Sequence, residues 1–477
     1  MKRKYITTCF KHVIMLCVVF SMLKITAQTS DTNFRTPVIE TIKKIESIFK
    51  VSIRYNETLL QDKTLDYADW KIEPDNLEVS LANVLAPFNL TTFKEADGTY
   101  EIRAFQYHRV SIPKSKDRLR YLSNLNNDKT TWETRKAALK RCMLAAFGID
   151  KAPKMPNSKP ILTKKRKYKG YSVENIGLEI LPGVYTTGSI YKPYPLQKNA
   201  PVVITPNGHF GDGRYRKDEQ LRCAMLAKMG AIVINFDLFA WGESQLQFPA
   251  TTHRNSIAST MQLLSGMRLL DYVSNLKHAD MSRVGVTGGS GGGSHTMFLA
   301  ALDDRVTVSV PTVMVSANHS GGCPCESGRG IHLCGNGTNN AEIAAMAAPK
   351  PQLIISDGKD WTSHVPELEF PFIERIYGFY NKRGRVENAH FAEEGHDYGI
   401  SKRMAMYPFM AKYLGLDLSK VTNKKGVIDE STCTVEPYEK LYVFGDNEEH
   451  LPAHAIKDIN KLYELFGEKN YREYETK

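Results

Sequence analysis

Beyond the N-terminus, no stretch of the chain is long and apolar enough to cross a bilayer as a helix, which excludes an integral helical membrane protein. No segment repeats with the period of a propeller blade, so a propeller domain is excluded as well. Cations crowd Lys151–Lys169, but no nucleic-acid motif and no set of stacking aromatics accompanies them; no nucleic acid partner is expected. Acidic residues are missing altogether from residues 1–27. That stretch opens on Lys2, Arg3 and Lys4, continues through the apolar run Val13–Leu23 and ends on the small-residue site Thr26-Ala27. This is the pattern of a cleaved signal peptide, and a secreted or periplasmic protein is expected. The formal net charge of +11 includes five cations of this leader, so the remainder is only mildly basic at about +6.

What is present is organised around Arg283–Thr296, RVGVTGGSGGGSHT. A short apolar run leads into Gly288-Gly289-Ser290-Gly291-Gly292, and the helical run Thr296–Leu302 follows. The spacing G-x-S-x-G between a strand and a helix describes a sharp turn with serine at its apex. Glycine at 288 and 292 lets strand and helix approach closely. Ser290 then stands exposed at a helix N-terminus, where the Gly291 N–H faces a developing oxyanion. Ser290 is the expected nucleophile.

The 477 residues allow two or three domains. Residues 28–110 form a small unit. Val38, Ile39, Ile42, Ile45, Ile48 and Phe49 recur at helical spacing, and Val51, Ile53 and Tyr55 alternate as a strand. Asn76 caps a second helix carrying Leu77, Leu81, Val84 and Leu85. Strands Leu90–Lys94 and Tyr100–Phe105 flank the hairpin signal Asp97-Gly98. Residues 111–170 read as a polar connector with one helix, Thr131–Phe147, closed by Pro153, Pro156 and Pro160. In 171–477, strands are expected at Val173–Leu181, Tyr185–Tyr191, Pro201–Thr205, Ala231–Phe236, Val306–Val313, Gln352–Ser356 and Arg385–Phe391, and a helix at Ser259–Asn275. Strand and helix alternate, so the fold class is α/β, with a mostly parallel sheet covered on both faces.

Residues 171–416 resemble the α/β-hydrolase superfamily, near its acetyl xylan esterase and dienelactone-hydrolase-like members. The segments that carry the resemblance are TPNGHFGDGR, FDLFAWGES, RVGVTGGSGGGSHT, PTVMVSANHSGGCPCES, TNNAEIAAMAAPKPQLIISDGKDWT and VENAHFAEEGHDYG. Residues 35–105 resemble the short N-terminal domain of secretins and TonB-dependent receptors, through IETIKKIESIFKVSIRYNETLL and NLEVSLANVLAPFNLTTFKEADGTYEIRA. That resemblance implies a protein-contact module and a docking partner; a passive appendage is the alternative.

On the hydrolase fold the nucleophile is followed along the chain by an acid and then a histidine. Asp357 and Asp360 both follow the strand Gln352–Ser356. The family pattern sets the acid a few residues beyond the strand, which selects Asp360 and leaves Asp357 to shape the turn with Gly358. His396 lies in the loop after the last long strand and is the expected base, whereas His390 lies within that strand. The resemblance also implies a second oxyanion donor, the backbone N–H of His209, beside that of Gly291.

Six cysteines remain after the leader. In a secreted protein a disulfide is expected between Cys334 and either Cys323 or Cys325. The alternatives are reduced thiols or a metal set completed by His332, but the Cys-Pro-Cys spacing is tight for two zinc ligands and the fold requires none; no metal and no cofactor are expected. The chemistry implied is acyl transfer to water through an acyl-enzyme. Acetyl esters of polysaccharides or oligosaccharides are the leading substrate by resemblance, with methyl esters of pectin-like uronic-acid polymers second. A serine peptidase or an inactive binding protein on the same fold completes the alternatives.

Overall fold

The computed structural model describes residues 35–468 apart from 67, 86, 87, 89, 96, 105–108, 210, 211, 446 and 447. The expected leader lies outside the described residues, as does Phe105. The chain divides into two compact units, Met1–Gln106 and Tyr107–Lys477.

In the first unit, β1 (Arg35–Pro37) leads directly into α1 (Val38–Phe49). Val38, Ile42 and Ile45 fall on one face of α1 and are fully buried, while Ile48, one step round the helix, points to solvent. The strands β2 (Ile53–Tyr55), β4 (Leu90–Lys94) and β5 (Tyr100–Ala104) form a sheet in the order β2-β5-β4, and β3 (Thr64–Asp66) pairs with β1. The second helix, α2 (Leu77–Leu85), adds Leu81, Val84 and Leu85 to the core shared with Ile53, Leu90 and Ile102.

In the second unit a ten-stranded sheet runs β15-β14-β13-β12-β10-β11-β9-β8-β6, with β7 also paired to β8. Its antiparallel flank is β6 (Ile161–Leu162), β7 (Arg166–Tyr168) and the hairpin β8 (Tyr171–Leu181) and β9 (Val184–Pro193). The remainder is parallel: β10 (Ala200–Pro206), β11 (Ile232–Phe236), β12 (Ala279–Gly289), β13 (Val308–Thr312), β14 (Gln352–Asp357) and β15 (Val386–Phe391). This is the α/β architecture that the alternation of strands and helices predicts.

Alternate residues of the central strands serve opposite faces, because successive side chains leave a strand on opposite sides. Val202, Ile204 and Ile234 join one core, and Val203 and Val233 join the other. The first face is covered by α3 (Ile112–Leu125), α4 (Lys129–Ala146), α6 (Ile257–Ser274), α7 (Gly291–Leu302), α9 (Asn340–Ala345) and α10 (Phe370–Gly378). The second is covered by α5 (Lys217–Lys228) and α11 (Ile400–Leu414).

The region after Tyr107 is more than a polar connector. Trp132, Leu139, Met143 and Phe147 are fully buried in the main core, and Phe147 meets Phe298 edge-on at 5.3 Å. Arg135 forms a forked ion pair with the buried Glu342. A second helix, α3, precedes it, capped by the Ser111 hydroxyl. Its apolar stripe is only Leu119 and Leu122 among polar residues, which hides it from a periodicity reading.

Candidate active site

The order of strands reverses between β11 and β12, which flank β10 on opposite sides. In open parallel sheets such a reversal opens a crevice at the carboxyl ends of the strands. The chain leaves β12 there and turns into α7 at Ser290, and the Ser290 backbone takes φ 56° and ψ −123°, a region that L-residues rarely occupy. Close approach to β10 explains the glycines on either side. A Cβ on Gly288 would stand 2.3 Å from the Pro206 carbonyl oxygen, and one on Gly292 would stand 2.2 Å from it. Ser290 N–H donates to Thr312 O at 3.0 Å, which fixes the turn to β13. Gly291 opens α7, so its N–H has no carbonyl within the helix to meet.

Ser290 Oγ lies 2.8 Å from His396 Nε2, and His396 Nδ1 lies 2.6 Å from Asp360 Oδ2. A carboxylate only accepts, so Nδ1 carries the proton and Nε2 is left to accept from the serine hydroxyl. Asp360 Oδ1 accepts from both the N–H and the hydroxyl of Thr362, each at 2.5 Å. Burial works to raise the Asp360 pKa, but the hydrogen bonds from His396 and Thr362 outweigh it and hold the carboxyl below its usual range. The structure therefore brings together Ser290, Asp360 and His396. His390 stands apart, bonded to Ser356.

Asp357 is not a turn former. It ends β14 with its carboxyl fully buried, facing Lys402 Nζ at 3.4 Å. Burial first, and then the negative charge of Asp360, pushes its pKa up to about 7. Lys402 itself escaped the sequence reading. It is a buried cation on α11, and its Nζ donates to the Gly395 carbonyl at 2.8 Å and to Asp397 Oδ1 at 2.7 Å. These two acceptors bracket His396 in the chain, so Lys402 holds the histidine loop from beneath. Trp361 was missed as well. Its ring lies against His396 at 4.3 Å and against His319 at 4.4 Å, with the exposed Arg109 guanidinium 5.4 Å from its centroid. An aromatic immediately after the acid was the one available signal.

The expected pairing of Cys334 with Cys323 or Cys325 is wrong. Cys334 is joined to Cys142 on α4, 192 residues away in sequence. The Cα atoms are 5.8 Å apart because α4 packs into the core beside the loop of Cys334, a placement that spacing along the chain does not show. Cys323 and Cys325 are buried and unpaired with each other, and His332 bonds Asn340. In place of the set with His332 and Cys334, the structure gathers Cys323 and Cys325 with His209 and His253. The His209 ring lies against the elbow: a Cβ on Gly291 would come within 2.9 Å of His209 Cε1.

A mostly parallel sheet wrapped by helices, with a serine at the strand–helix turn of its crevice, is the α/β-hydrolase fold. Methylesterase BT1017 is similar to this chain at 43% identity, over 94% of this chain and 100% of that one, with a TM-score of 0.74; the chain belongs to the family of that methylesterase. A glucuronoyl esterase from Teredinibacter turnerae T7901 is 14% identical over 72% of this chain and 99% of that one, with a TM-score of 0.47. An acetyl xylan esterase from Paenibacillus sp. R4 is 16% identical over 64% of this chain and 100% of that one, with a TM-score of 0.41. No family model and no curated protein matches the chain.

Proposed function

We propose that this protein is a serine carboxylic ester hydrolase that removes methyl groups from esterified uronic acids in glycans. The observation that carries the reading is the hydrogen-bonded run Ser290–His396–Asp360 in a chain that is 43% identical to a methylesterase along the whole of that protein. In a glycan a methyl ester implies a carboxylic acid, hence a uronic acid. The sequence ranks acetyl esters first; the full-length relative moves the preference to methyl esters.

Ser290 Oγ attacks the ester carbonyl while His396 Nε2 takes its proton. Asp360 keeps the imidazole in the tautomer that permits this and offsets the charge of the imidazolium. The N–H groups of Gly291 and His209 face the oxyanion, and such preorganised donors contribute most where water is excluded. His396 then returns its proton to the departing methoxide, releasing methanol. Water, deprotonated by the same nitrogen, cleaves the acyl-enzyme and frees the uronate.

The leader supports export, and the Cys142–Cys334 disulfide fits an oxidising compartment. We read the first unit as a module that docks a protein partner, on its resemblance to the receptor and secretin domains.

The reading is tested by incubating the protein with a panel of methyl-esterified uronic-acid polymers and oligomers beside acetylated xylan, measuring methanol and acetate. Methanol is expected. Acetate alone would overturn the methyl-ester reading and keep the hydrolase.

A further inference from the structure

We propose that His209, His253, Cys323 and Cys325 form a closed zinc site beside the serine turn. Their ligating atoms all lie within 4.8 Å of one another. His209 Nε2 stands 2.8 Å from His253 Nε2 and 3.3 Å from Cys325 Sγ. A tetrahedral zinc ion with bonds of about 2.0–2.1 Å to nitrogen and about 2.3 Å to sulfur places its ligands about 3.3–3.8 Å apart. The four atoms reach that geometry with small side-chain shifts.

The surroundings point the same way. His253 Nδ1 lies 2.5 Å from the carbonyl oxygen of Phe239. A carbonyl only accepts, so Nδ1 carries the proton and the Nε2 lone pair is aimed into the cluster, the arrangement that fixes a metal-binding histidine. Trp241 meets both rings edge-on, at 5.7 Å for His209 and 5.2 Å for His253, and walls the cluster with apolar surface. His253, Cys323 and Cys325 are buried. The tight Cys-Pro-Cys spacing is accommodated because Cys323 immediately precedes the short helix α8 (Pro324–Ser327) and Cys325 lies in its only turn, which turns both sulfurs into the cluster.

Binding releases the two thiol protons and leaves both imidazoles neutral, so the divalent cation and two thiolates carry no net charge in a buried place. Four protein ligands leave no open position, so the ion does not activate water. Its effect is mechanical. The ligands come from three separate segments: the loop after β10, the turn Ala250–Arg254 and the start of α8. Joining them pins the segment of His209, whose backbone N–H faces the oxyanion in the proposed reaction.

The test does not depend on turnover. The full chain, stripped with a chelator and dialysed, is titrated with zinc and then with cobalt(II), and the bound metal is counted. One equivalent of zinc is expected. Cobalt should give thiolate charge-transfer absorption with the visible bands of a tetrahedral ion. Cys325→Ser should reduce the charge-transfer absorption to that of a single thiolate. No stoichiometric metal, cobalt spectra without thiolate ligation, or a Cys323–Cys325 disulfide recovered in native peptide maps would each overturn the proposal.

Discussion

Asp357 ends β14 and Asp360 lies three residues beyond it, and the two divide the work: Asp360 meets His396 Nδ1 at 2.6 Å, while Asp357 faces Lys402 Nζ at 3.4 Å. One carboxyl oxygen of each and a ring nitrogen of His396 all fall within 4.8 Å of one another. Two acids this close cannot both ionise freely, and the one bonded to His396 keeps its charge. Asp360→Asn should therefore leave the fold intact and lower kcat by about 10²–10⁴, because an amide favours the wrong imidazole tautomer. Asp357→Asn should lower kcat by less than about tenfold, since no tautomer depends on it. Steady-state kinetics on the two variants decide the matter, and a large loss at Asp357 alone would reverse the roles.

A pH dependence follows from the same pair. Asp357 has its pKa raised from 3.8 to about 7, by burial and then by Asp360. Between those values the native state holds a proton that the unfolded chain has lost, so this group costs stability as pH rises through that window. Asp360, His396 and Lys402 face it and remain in the variant. The Tm of Asp357→Asn minus that of the parent should therefore become more positive between pH 5 and pH 8. A difference that is flat or falls with pH would contradict this.

Lys402 is a positioning residue. Its ammonium draws Gly395 and Asp397 together around His396 while facing Asp357 and Glu394. Removing a buried cation from its carboxylates costs about 3–5 kcal/mol. Lys402→Met should lose stability on that order. Below its Tm it should show kcat reduced by about ten- to a hundredfold with KM little changed, because the histidine is displaced and not the substrate. Lys402→Arg should recover part of kcat. Equal kinetics in the Met variant and the parent would show that the loop holds itself.

The parts of this architecture legible in the sequence are those governed by local rules. The apolar runs at Pro201–Thr205, Ala231–Phe236 and Gln352–Ser356 are short and continuous because both faces of the sheet are covered, and the structure has strands there. The glycines around Ser290 announce a close approach, and Pro206 is what they approach. What stayed hidden depends on residues far apart in sequence. Cys142 meets Cys334 across 192 residues, and nothing near either one marks the other. His253 sits in a polar 3₁₀ turn with no periodicity to place it, and joins His209 only because two loops converge at the crevice. Nothing near Lys402 in the sequence sets it apart from other lysines, and only the fold shows that its side chain is fully buried.

The central claim is that Ser290 carries the acyl group. The most direct measurement is to treat the protein with a fluorophosphonate, digest it and locate the adduct by mass spectrometry, alongside methanol release by Ser290→Ala. The expected result is one adduct, on Ser290, with the alanine variant folded and its turnover reduced by about 10⁴ or more. An adduct on another residue, or an alanine variant that still releases methanol at a substantial rate, would contradict it.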